Sequence, residues 1–289
     1  MEDVESPAPT PGTSTVTSRD GTPIGYYCVG NGPGLVLLHG AGQTAASFRT
    51  LAMDLSPVFT VCVPDRRGRG MSPSYGNFHG LRTETEDLSA LLDATGARYV
   101  FGLSAGAVIA IETALVRPDI TKLAVYEPPL SFDGVVHGAW APRYEQELAA
   151  GKPGSALATV LKGTTDRTGF RLIPRVLLAP AFNFVIRHTA DRPVPVGSFS
   201  PREIIPTVHY DIQTVSDAAG SLDRFAGLKC DVLLLGGSKS ARNLIASLDG
   251  LSQVLPEAKR VTIHGVGHTA ADNTNQPHRV AAELRRFFG

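Results

Sequence analysis

The sequence predicts an α/β fold, a mostly parallel central sheet flanked by helices and interrupted by a mainly helical insertion. Three observations carry this. Short unbroken apolar runs, as in "GLVLLHG" (34–40) and "DVLLLGG" (231–237), read as strands buried on both faces. Segments with apolar residues at helical spacing alternate with them. Between about residues 130 and 225 that alternation stops, among prolines, aromatics and scattered helical patches.

The elements follow in order. Residues 1–14, "MEDVESPAPTPGTS", form a polar, Pro-rich lead-in expected to be disordered. "STVTSRDGTPIGYYCVGNG" predicts two short strands around an Asp20-Gly21 turn. "FTVCVPDRRGRGMS" is a buried strand followed by a Gly-rich loop, and "TETEDLSALLDATG" is a helix with acids in its first turn and Gly96 at its end. "RYVFGLSAGAVIAIETALV" reads as strand, tight turn and helix, and "TKLAVYEPP" as a strand stopped by two prolines. A core over 15–129 thus gives way to an insertion over 130–225, with "APRYEQELAAG" and "PREIIPTVHYDIQTVSD" as its clearest helices. The core resumes over 226–289 with "DVLLLGG", a helix across "ARNLIASLDGLSQVLP", the strand "KRVTIHG" and a closing helix "NQPHRVAAELRRFF".

Bulk composition narrows the function classes. Apolar residues make up 43 %, enough for a sizeable core, and 27 Lys+Arg balance 27 Asp+Glu. No net field therefore draws the chain to nucleic acid or acidic membranes. No stretch has the length of a membrane span and no basic-then-apolar leader opens the chain, so the cytoplasm is the default compartment. Three cysteines, Cys28, Cys62 and Cys230, are too few and scattered for a disulfide framework. Buried free thiols are the expectation in the apolar runs.

"GLSAG" (102–106) matches G-x-S-x-G in the strand-turn-helix setting that this pattern requires. It makes Ser104 the candidate nucleophile. A serine hydroxyl needs a base within hydrogen-bond reach. His268, in "HGVGHTAADN" after the last strand, reaches the same sheet end as Ser104. His264 is expected to pack at the strand edge and His39 to shape a loop; the remaining histidines fall in loops, the insertion or the last helix. Donors for a developing oxyanion are expected from the backbone N–H of Ala105 and of Ala41, with Gly40 and Gly42 leaving room for a substrate carbonyl.

Together, "HGAG", "PDRRGRGMS", "GLSAG", the insertion and "GVGH" resemble the α/β-hydrolase fold family from about residue 15 to the end. The resemblance implies a Ser-acid-His triad, a cap made by the insertion, and no metal or organic cofactor. Serine at the elbow argues against the relatives that use an aspartate nucleophile there, the haloalkane dehalogenases and epoxide hydrolases.

The family's usual acid follows the strand after the cap, where this chain has Ser238, Lys239 and Ser240. Glu127, in "VYEPP", ends the strand after the nucleophile helix, as in certain lactonases of this fold. It keeps the order Ser104, Glu127, His268. Asp272 is the rival acid, although a local Asx-turn explains it, and Asp65 is expected to hold its own arginine-rich loop.

The expected activity is a serine carboxylic ester hydrolase, an esterase or lactonase. Phe132 and Trp140, with Phe182, Phe184 and Phe199, are candidate walls for an apolar small-molecule ester or lactone; packing of the insertion onto the sheet accounts for them equally. A C–C bond hydrolase with the same residues and a non-catalytic ligand receptor remain as alternatives. The partner expectations are no nucleic acid and no membrane, with a homodimer left open.

Overall fold

The computed structural model describes residues 12–76, 79–164, 168–189 and 200–289. Phe199 and residues 1–11 of the lead-in lie outside them. Eight strands form one sheet: β1 (Gly12–Thr17), β2 (Pro23–Val29), β3 (Gly34–Leu38), β4 (Thr60–Pro64), β5 (Tyr99–Leu103), β6 (Lys122–Tyr126), β7 (Asp231–Gly237) and β8 (Lys259–Ile263). Their order is β1-β2-β4-β3-β5-β6-β7-β8. Strands β1 and β2 pair antiparallel with each other, and β2 with β4; all later pairings are parallel. β1 begins at Gly12, so strand pairing reaches into the stretch expected to be a lead-in.

Because side chains alternate along a strand, the parallel strands feed two apolar layers. Leu35, Leu37, Phe101, Leu103, Ala124, Tyr126, Leu233 and Leu235 pack on one face with α1 (Arg49–Leu55) and α10 (Pro277–Phe288). Val36, Leu38, Val100, Leu123, Val125, Val232 and Leu234 pack on the other with α2 (Leu81–Thr95), α3 (Ala105–Val116) and α9 (Arg242–Val254). Each fully buried Leu or Val contributes about 1.5–3 kcal/mol relative to exposure. Gly96 ends α2 at φ 65°, the left-handed C-cap its position in the sequence implies.

Between β6 and β7 run α4 (Ala141–Ala149), α5 (Pro153–Thr164), α6 (Thr168–Leu172), α7 (Arg175–Thr189) and α8 (Pro201–Asp217). Tyr144, Ala156, Ile186, Ile205 and Val208 form their own small core. Ser200 and Glu203 close a capping box on α8. No helix among the described residues is long and apolar enough to cross a membrane.

Two further sequence expectations fail here. Cys28 and Cys62 are not free thiols: they stand directly opposite each other on β2 and β4 and form a disulfide, leaving Cys230 as the free cysteine. Apolar runs reveal burial but not the antiparallel register that pairs positions 34 residues apart. His264 lies in the turn after β8, the edge strand of the sheet among the described residues, and is exposed rather than packed.

Candidate active site

Ser104 sits between β5 and α3 at φ 55° and ψ −121°, a conformation costly for a residue with a Cβ. Close approach on both sides explains the flanking glycines. A Cβ on Gly102 would lie 2.4 Å from the Gly106 carbonyl oxygen, and one on Gly106 would lie 2.5 Å from that of Leu38. The Ser104 amide donates to the Tyr126 carbonyl at 2.9 Å, which ties the turn to the end of β6.

Glu127 is the next residue after Tyr126. It is also held at positive φ, 48°, and its side chain is fully buried. Its Oε2 lies 2.7 Å from Nδ1 of His268, and its Oε1 accepts the Gly237 amide at 2.6 Å. Facing a carboxylate, Nδ1 carries the proton, which leaves Nε2 with a lone pair in the neutral ring.

The turn without a carboxylate, "GGSKS", frames this pair. The Ser238 hydroxyl accepts the Gly265 amide at 2.8 Å, and the Lys239 amide donates to the Val266 carbonyl at 2.8 Å. From β6, the Tyr126 hydroxyl donates to the Gly267 carbonyl at 2.8 Å. Three anchors thus precede His268 directly. A Cβ on Gly236 would stand 3.1 Å from Glu127 Oε1, and one on Gly237 would stand 2.4 Å from the Val266 oxygen.

The loop after β3 lies against the serine: a Cβ on Gly40 would meet the Ser104 Cβ at 3.2 Å. His39 is buried and its Nδ1 lies 3.0 Å from the Gly40 carbonyl, while Nε2 accepts the Arg66 amide. Burial, with Arg69 and Arg66 nearby, holds its pKa well below the usual histidine value, so it is a neutral brace. Gln43 accepts the Gly40 amide at 2.8 Å and donates to Asp272 Oδ2 at 2.9 Å. Among the described residues nothing accepts from the backbone N–H of Ala41 or of Ala105, the first residue of α3.

The other named residues fall as follows. Asp272 accepts from the Thr274 amide and hydroxyl in a local turn. Asp65 accepts the Ala45 and Met71 amides and so holds its loop through backbone. The Phe132 ring packs where a Cβ on Gly250 of α9 would stand, and Trp140 packs on Gly163 of α5 and edge-on to Tyr144, so packing accounts for both. Phe184 is exposed. No three His, Cys, Asp or Glu side chains among the described residues are gathered as a metal-binding set.

Sequence reading missed two groups. His137 bonds Ser247 and Asn243 of α9, and burial, with His268 nearby, pushes its pKa down to about 4. The arginines of "PDRRGRG" are buried: Arg66 pairs with Glu84 and Asp211, Arg69 with Asp211, and Arg67 with Asp87 and Asp20. Three arginines within four positions were the available signal, but they read equally as a solvated loop.

A model of the alpha/beta hydrolase family matches residues 35–283. The chain belongs to that family. As an α/β hydrolase it is 31 % identical to one from Sphaerobacter thermophilus DSM 20745, whose crystal structure superposes with a TM-score of 0.75 over 96 % of this chain and 100 % of the other. A pimeloyl-[acyl-carrier protein] methyl ester esterase of Xanthomonas campestris pv. campestris (strain B100) is 27 % identical over 90 % of this chain and 96 % of its own. The enol-lactonase of Burkholderia xenovorans LB400 shares the α/β-hydrolase fold, with a TM-score of 0.67 at 20 % identity over 95 % of this chain and 99 % of its own.

Proposed function

We propose that this α/β hydrolase is a serine hydrolase of carboxylic esters or lactones, with Ser104, His268 and Glu127 as its triad. The observation that carries the reading is the 2.7 Å contact between Glu127 Oε2 and His268 Nδ1, at the sheet end that also bears the strained Ser104.

The imidazole Nε2 takes the Ser104 proton as Oγ attacks the substrate carbonyl, and then returns it to the leaving alcohol. Glu127 fixes the tautomer and offsets the imidazolium charge; the equivalent change of charge in one protease lowers turnover about 10⁴-fold. The unengaged amides of Ala41 and Ala105 form the oxyanion hole, each donor lowering the barrier by about 3–4 kcal/mol. The α3 N-terminus adds its dipole. Water activated by His268 then cleaves the acyl-enzyme; in a lactone the leaving alcohol is the far end of the acyl group itself, and the product is a single hydroxy acid. No step calls on a metal or an organic cofactor.

Helices α4–α8 act as the cap in this reading. The esterase and lactonase among the similar proteins support acyl transfer from an ester or a lactone. A fluorophosphonate probe tests it: the wild type is expected to label and Ser104→Ala to remain unlabelled. A folded wild type that neither labels nor cleaves an ester and lactone panel overturns the proposal.

A further inference from the structure

The loop of Gly40, Ala41 and Gly42 is held by its sequence neighbours at Gly40 and by a distant group at Gly42. The Gly40 carbonyl meets His39 and the Gly40 amide meets Gln43. The Gly42 amide donates to Asp211 Oδ2 at 3.3 Å. Asp211 lies on α8, 169 residues away, and is almost fully buried. Arg69 Nη2 donates to the same Oδ2 at 2.7 Å, and Arg66 Nη1 to Oδ1 at 2.8 Å. Arg66 is in turn clamped on Glu84 at 3.0 Å.

Two consequences follow. With both guanidiniums fixed, the Asp211 carboxylate has one orientation, and so has the Gly42 N–H that it receives. The Gly40 carbonyl and the Ala41 N–H belong to one trans peptide and point opposite ways, so the His39 contact turns the Ala41 N–H away from His39, while the Gly42 bond fixes the next peptide. The Ala41 amide is the one left for a ligand. Gly42 itself adopts φ 66°, and a Cβ there would touch Ile204 and Val208 of α8, so the loop and the helix are packed as well as bonded.

We propose that Asp211 is a positioning residue for the reaction: from α8 it aims the Ala41 amide at the oxyanion, with Arg66 and Arg69 holding its carboxylate in place. The inference rests on the serine-hydrolase reading. It makes α8 part of the transition-state apparatus as well as a cover over the sheet.

The test compares Asp211→Ala, Asp211→Asn and Arg69→Gln with the wild type, using an activated ester and a trifluoromethyl ketone that forms a tetrahedral adduct. In Asp211→Ala, kcat is expected to fall roughly 10- to 100-fold, below the 10²–10³ of a lost donor, with KM within about twofold. Trifluoromethyl ketone affinity should fall in parallel, and hydrogen exchange at Gly42 should quicken. Asp211→Asn keeps an acceptor oxygen and should recover part of each effect. A merely structural Asp211 would lower the melting temperature and leave kcat per folded enzyme and ketone affinity unchanged, which overturns the inference. If Asp211→Ala does not fold, Arg69→Gln decides it: an unchanged kcat and ketone affinity overturns the inference, and a smaller loss of both supports it. A wild type that neither turns over the ester nor binds the ketone overturns the hydrolase reading instead.

Discussion

Glu127 Oε1 accepts the Gly237 amide at 2.6 Å, so a side chain from the end of β6 fills the turn at the end of β7. That turn, whose own side chains are Ser238, Lys239 and Ser240, takes its carboxylate from the neighbouring strand. Gly236 and Gly237 leave the space it needs.

This contact sets the outcome of Glu127→Gln. The Gly237 amide can only donate, so the new side-chain oxygen must face it and the new amide group must face His268. Nδ1 would then have to accept, moving the ring proton to Nε2, where it blocks uptake of the Ser104 proton. Turnover is expected to fall about 10³–10⁴-fold with the melting temperature nearly unchanged. Asp272→Asn should stay within a few-fold of wild type. Steady-state kinetics of the two variants check this, and the opposite ranking would return the acid's role to Asp272.

A methyl group at Gly237 tests the frame itself. Its Cβ would stand 2.4 Å from the Val266 carbonyl, in the loop that leads to His268. Gly237→Ala is expected to cost about 1–3 kcal/mol of stability and to lower kcat by displacing the imidazole. Urea unfolding and kinetics on the same preparation check both.

Acid should weaken the fold through two histidines. His137 titrates near 6.5 in the unfolded chain and at about 4 in the folded one, and His39 is shifted in the same direction. Between those values the unfolded state binds more protons, so stability is intact above about pH 6.5 and falls as the pH drops toward 4. For His137 the full loss is at most about 3 kcal/mol. His137→Gln should flatten the slope of unfolding free energy against pH by up to one proton across that window. An unchanged slope would show that His137 protonates freely in the folded protein.

The disulfide has a direct count. Without reductant, the denatured protein should expose one thiol, from Cys230, and reduction should raise this to three. Closing a loop over a separation of 34 residues contributes about 3–4 kcal/mol in the chain-entropy account, so Cys28→Ser or reductant should lower the melting temperature by many degrees. Three thiols in the unreduced denatured protein would refute the bond.

The sequence by itself determined the α/β layering and the strand-turn-helix around Ser104. These rest on local periodicity, on close-packed glycines and on burial over a few residues. Its three arginines in "PDRRGRG" and its two strand cysteines carried no comparable local signature. Chain order and a turn without a carboxylate pointed to Glu127 as the partner of His268, 141 residues away, but tertiary structure alone decided that Cys28 faces Cys62 and that Arg66 and Arg69 meet Asp211 on α8. The physical reason is the same in each case. A buried charge or thiol acquires its partner only when distant strands and helices are brought into register, and no spacing along the chain records that register.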